Sequence, residues 1–221
     1  MKGLLVKDFL LITQKKMFFV LLFVIAIILS FKMDTSFVIS YFCMMGTIIS
    51  TSTISYDEFD NGYPFLLTMP ISRKMYATEK YAMAFLCQAF FWIIAVLIQF
   101  SVIAIQKTPV VLGELLIQDL LILVVTALFA ALMIPIEIKF GAEKGRTFLF
   151  LIAGLIFVIG VLGQSFGTAI QTALSFDPAV LIEKMEAIPL GAVAVSLTGI
   201  VLVMVAISMF ISITVMEKKE L

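Results

Sequence analysis

The chain is 221 residues long, 62% hydrophobic and only 14% charged, with a mean hydropathy of +1.18, well outside the range of soluble domains. Fifteen Lys and Arg balance fifteen Asp and Glu, and histidine is absent, which excludes His proton shuttles, His metal sites and Ser-His or Cys-His catalysis. Cys43 and Cys87 both lie in apolar runs, where free cysteine behaves as a small hydrophobe rather than part of a disulfide framework.

About twenty apolar residues cross a ~30 Å hydrocarbon core. On that measure the sequence predicts an all-α polytopic bundle, one transmembrane domain over 1–221. Its six spans are expected at 17–31, 37–56, 81–105, 115–138, 147–170 and 190–216. Residues 1–16 carry four Lys and one Asp among Leu, Val and Phe. The apolar positions there do not gather on one helical face, so the wheel does not establish an interfacial lead-in helix. Met17–Phe31 has only 15 residues; Lys16 and Lys32 can snorkel from its ends, or the span can draw in part of Phe9–Ile12. No small-x-small cleavage site follows it, against a secretory signal peptide.

The next segment, 57–80, carries Asp57, Glu58 and Asp60, then Asn61-Gly62 as a turn signal. Pro64 suits the start of a helix, Phe65–Met69 gives about one turn, and Pro70 stops it. Ser72 is placed to cap the helix that continues through Glu79 and Lys80 into the third span. Phe65, Leu66, Leu67, Met69 and Ile71 are apolar residues flanked by charge, and a solitary turn cannot bury them in itself. They either lie on the lipid surface or fill a socket on a protein partner, where each Leu or Phe is worth roughly 1.5–3 kcal/mol.

Gln88, Gln99, Asp119, Glu137 and Gln164 lie in or at the edges of spans. Polar and ionisable groups at membrane depth default to functional candidates. Asp119, Glu137, Gln164 and Ser165 are therefore candidates for a translocation path, although Asp119 can also reach the outer interface and Glu137 can pair with Lys139. Gln88 and Gln99 suit interhelical hydrogen bonds. Between the fourth and fifth spans, Gly141-Ala-Glu-Lys-Gly145-Arg146 has the wrong spacing for a Walker A loop. In the fifth span, Gly163-x-x-x-Gly167 suits close helix packing or a broken helix. Beyond it, Asp177-Pro178 opens either a short amphipathic helix over 177–188 at the outer surface or a capped connector.

Lys and Arg sort by side. With the N-terminus inside, twelve of the fifteen are interior and only Lys32, Lys107 and Lys184 are exterior, one per outer loop. The positive-inside bias therefore places both ends in the cytoplasm.

Acidic residues after the second span, then Leu66-Leu-Thr-Met-Pro-Ile-Ser-Arg73, then Glu79-Lys80-Tyr81 entering the third, resemble the permease subunit of ABC-2-type (type V exporter-like) transporters. The closest resemblance is to compact bacterial exporters of, or resistance factors against, peptides such as phenol-soluble modulins. The span layout extends the likeness over nearly the whole chain. It implies an ATPase-coupling segment made of Tyr63, Phe65, Leu66, Leu67, Thr68, Met69, Pro70, Ile71, Ser72 and Arg73, and a gate in the exterior segment between spans five and six. It further implies a separate ABC ATPase subunit holding ATP and Mg, a second permease copy as homodimer or sister chain, and a multi-pass place in the bacterial cytoplasmic membrane. Catalytic, metal and cofactor sites are expected on the partner and not on this chain, and no nucleic acid is implied. The cargo expected from the resemblance is an amphipathic peptide or other amphiphile. The alternative from a different class is a membrane sensor, scaffold or immunity protein that binds a soluble partner through 57–80 without transport.

Overall fold

The computed structural model describes the chain except residues 33–34, 59–61, 69, 108–109, 175–188 and 220–221. At 32, 35, 67, 142–143, 146, 148–150, 152–174 and 190 it describes the backbone alone. The described residues are helical: α1 (Lys2–Thr13), α2 (Lys16–Lys32), α3 (Thr35–Glu58), α4 (Gly62–Thr68), α5 (Arg73–Gln106), α6 (Leu112–Leu174) and α7 (Leu190–Lys218).

Four of these are long and apolar enough to cross a bilayer: α3, α5, the part of α6 from Leu112 to Gly141, and α7. A fifth is formed if α1 and α2, whose axes differ by 68°, count as one broken span. The helix predicted at 147–170 is present as backbone within α6, and the predicted exterior helix at 177–188 lies outside the described residues.

The central helix is α3, which packs against both α5 and α6. It is rich in hydroxyls, and these bond back onto its own carbonyls: Thr47 to Cys43, Ser50 and Thr51 to Thr47, Thr53 to Ser50. Thr47, Ser50 and Thr51 are thereby satisfied without a partner helix, while the Thr53 hydroxyl also reaches Asp8 of α1. Gly46 marks a close approach of α3 to α5, since a Cβ there would sit 3.2 Å from the Cys87 carbonyl oxygen.

Two apolar layers result. Toward one end, Leu22, Ile39, Phe42 and Phe91 tie α2, α3 and α5 together, with the Phe42 and Phe91 rings 6.0 Å apart. Toward the other, Leu4, Ile54, Tyr63, Leu66, Tyr76, Tyr81, Ile134 and Met216 join α1, α3, α4, α5, α6 and α7. The opposite faces stay apolar and exposed. Leu86, Phe90, Ile93 and Leu97 line α5 at helical spacing, and Ile200, Val203, Ile207 and Phe210 line α7. Stripes of this kind suit contact with lipid, which asks no hydrogen bonds of a helix face.

Within 139–146, where the sequence separates two spans, α6 is two helices meeting at a kink, with a single non-helical residue, Gly141 at φ 77° and ψ 171°, a region open essentially to glycine alone. The backbone stays helical through Gly154, Gly163 and Gly167, so the break falls at Gly141 and not in the glycine run. As the Ser72 cap predicts, α5 starts at Arg73; it has 34 residues, about 50 Å at 1.5 Å per residue. That exceeds a ~30 Å core, so its first turns extend beyond the apolar layer.

Candidate functional site at the α4 end of the bundle

Helix α4 is a seven-residue element. It begins at Gly62 because no side chain fits there: a Cβ would lie 2.6 Å from the Asp57 carbonyl oxygen. Pro64 falls in the first turn, where its missing N–H costs nothing. Downstream, Ser72 adopts extended backbone angles and its hydroxyl accepts from the Met75 N–H at 3.1 Å, starting α5.

The short helix has two faces. Tyr63 and Leu66 are buried in the bundle, whereas Phe65 is 64% exposed and Pro64 and Thr68 are exposed beside it. Ile71 is half-buried against the same core, while Pro70 and Ser72 are exposed. The Leu67 side chain and Met69 lie outside the described residues. Burial pushes the Tyr63 phenol above its ordinary pKa, which keeps it neutral.

Beneath α4 lies a buried cluster of charges. Lys80, 2% exposed, places its ammonium 2.5 Å from Asp8 Oδ2, 2.7 Å from Asp57 Oδ2 and 3.8 Å from Glu79. Thr53 donates to Asp8 Oδ2 at 2.7 Å and accepts from Lys80 at 3.1 Å. Lys7 pairs with Asp57 and with Asp8, and Tyr76 donates to Asp57 Oδ2 at 3.0 Å. The cluster thus joins α1, α3 and α5. Buried charges persist only when paired and hydrogen-bonded, so these contacts fix how the three helices meet.

The sequence reading missed this cluster because its members looked like separate solvated charges at helix ends. A signal was present: Leu4, Asp8 and Ile12 form the buried stripe of α1 at i, i+4 and i+8. A count of apolar positions overlooks a stripe with a carboxylate in the middle.

Around the cluster the chain's tail is tied down. Arg73 donates from Nη1 to the carbonyl oxygens of Met216, Glu217 and Lys219 at 3.3, 2.6 and 3.1 Å, which caps the C-terminus of α7. Lys219 in turn donates to the Ile138 carbonyl at 3.0 Å, pairs with Glu58 at 3.8 Å and lies 4.5 Å from the Tyr63 ring centroid. Arg73→Ala is expected to cost about 1 kcal/mol, between an exposed cation at a helix end and a buried charged hydrogen bond. Hydrogen exchange should quicken at the last turn of α7 with little change elsewhere, and Arg73→Lys should recover only part, since the lysine ammonium ends one bond short of the position Nη1 occupies. Unchanged exchange at that turn would contradict the assignment.

Of the candidate path residues, Asp119 and Glu137 have described side chains. Asp119 is fully buried and faces α5: Gln99 Nε2 lies 3.4 Å from its Oδ1, and the Trp92 indole donates to its carbonyl at 2.9 Å. Gln88 donates to Thr126 at 2.6 Å. These contacts place Gln88 and Gln99 as interhelical donors. Glu137 is buried near the Gly141 break, its Cγ 3.5 Å from where a Gly145 Cβ would sit. The side chains of Gln164 and Ser165 lie outside the described residues.

Long apolar helices with lipid-compatible outer faces, enclosing intrahelical hydroxyl bonds and paired charges, define a multi-pass membrane protein. Residues 3–217 match the family described as ABC-2 family transporter protein. The chain belongs to that family and is a membrane-spanning permease subunit of an ABC transporter. No curated protein and no solved structure matches it.

Proposed function

We propose that this permease subunit is driven by a separate ATPase through α4, and that it exports an amphiphilic cargo such as an amphipathic peptide. The observation that carries the reading is the division of α4 into an anchored face, Tyr63 and Leu66, and a presented face, Pro64, Phe65 and Thr68. An element rooted in the core on one side and apolar on the other can take a push from outside and deliver it to the bundle. ATP and Mg belong to the partner, since this sequence has no phosphate loop. The distribution of Lys and Arg supports six spans with both ends and α4 in the cytoplasm. Six spans are few to enclose a path, which favours pairing with a second permease chain.

Purification of the chain from native membranes in mild detergent tests the reading. A soluble subunit with a Walker A motif should co-purify at a fixed ratio; a chain that comes down with a non-ATPase partner, or alone, supports the sensor class instead. The orientation has its own test. In a background lacking Cys43 and Cys87, an impermeant thiol reagent added to intact cells should label Lys107→Cys and spare Thr68→Cys. Labelling of Thr68→Cys from outside would overturn both orientation and the role of α4.

A further inference from the structure

We propose that the tail 216–219 is a latch that carries movement of α4 to the Gly141 break in α6, with Lys219 as its positioning residue. The inference rests on α4 as the ATPase contact and extends it to helices that α4 does not join covalently.

Displacement of α4 reaches α3 and α5 directly through the chain. Its links to α6 and α7 are the shared apolar core, where Tyr63 and Leu66 lie with Ile134 and Met216, and the polar contacts of the tail. Both ends of the 62–73 segment hold it: Tyr63 offers its ring to the Lys219 ammonium, Leu66 shares a core with Met216, and Arg73 grips three tail carbonyls. On its other side the tail holds the break. A helix that stops at a residue with non-helical angles leaves its last carbonyls short of intrahelical donors. Lys219 supplies one, to Ile138, three residues before Gly141.

Glu58 completes the junction. Its carboxylate occupies the space that a side chain at Gly141 would need, with Cδ 2.8 Å from an ideal Cβ, and it pairs with Lys219. One ammonium therefore touches the end of α3, the start of α4 and the break in α6. Its pKa is lowered by burial, an effect that Glu58 opposes, consistent with a cation held inside the junction and not free in solvent.

Nitroxide distances in the native complex with its ATPase test the latch, in a background lacking Cys43 and Cys87. Labels at Thr68 and at Lys144 are each paired with one at Ser101, and distances are read by double electron–electron resonance with and without Mg and a non-hydrolysable ATP analogue. In the wild-type background both distances should shift with nucleotide. In Lys219→Met the Thr68 shift should persist and the Lys144 shift should be lost, and Lys219→Arg should restore it. A Lys144 shift equal in Lys219→Met and wild type, or absent in wild type while Thr68 moves, overturns the latch and leaves the coupling reading intact. A Thr68 label that never responds overturns both.

Discussion

Lys80→Met is expected to be the most damaging single substitution in the protein. The change keeps the length and removes the ammonium on which Asp8, Asp57 and Glu79 converge. In wild type Lys7 and Lys80 face these three carboxylates; in the variant Lys7 alone does. Stranding buried charges by removing one partner typically costs about 3–5 kcal/mol. The protein should insert but melt early in detergent, and α1 should become accessible to protease. Adding Asp8→Asn restores the original charge imbalance, so the double variant should be more stable than Lys80→Met alone, a coupling of the kind expected between residues in one network. Simple addition of two losses would show that the cluster does not act as a unit.

Gly141→Ala is the second large effect. The residue's φ of 77° is strained for any L side chain by about 1–3 kcal/mol, and the added methyl meets the Glu58 carboxylate. Either α6 straightens, which disturbs the bond from Lys219 to the Ile138 carbonyl, or Glu58 leaves, which breaks its pair with Lys219. Gly145→Ala supplies the control. A Cβ there meets Glu137 Cγ at 3.5 Å, ordinary contact, in a helix where alanine is preferred to glycine. Melting curves should therefore separate the two, with Gly141→Ala well below wild type and Gly145→Ala close to it. Equal curves would remove the break from the account.

Much of the fold was legible because lipid imposes a simple rule: backbone groups are satisfied within a helix, so long apolar runs announce themselves. The limits of α4, set by Asn61-Gly62 and Pro70, and the Ser72 cap were also readable from local chemistry. Legibility stopped where long-range partners decide. Asp8 and Lys80 are 72 positions apart and Arg73 and Lys219 are 146 apart, and nothing local marks either pair. The charges of 139–146 marked the join between two apolar runs but not the residue that makes the turn: Gly141 and Gly145 both lie there, and only the backbone shows non-helical angles at Gly141. Asp119 was legible by type as a carboxylate at membrane depth; its contacts with Gln99 and Trp92 of α5 depend on how two helices pack.

The central claim is that α4 receives an ATPase on its outward face, and Phe65 is the residue that tests it most directly. Phe65 is 64% exposed, so Phe65→Asp should leave the bundle intact and the protein should melt as wild type does. In an apolar socket, however, the carboxylate would be buried without a partner, a costly change unless the site opens. The measurement is recovery of the ATPase when tagged permease is purified from native membranes. The account predicts that wild type brings the ATPase down and Phe65→Asp does not. Equal recovery from both would contradict it.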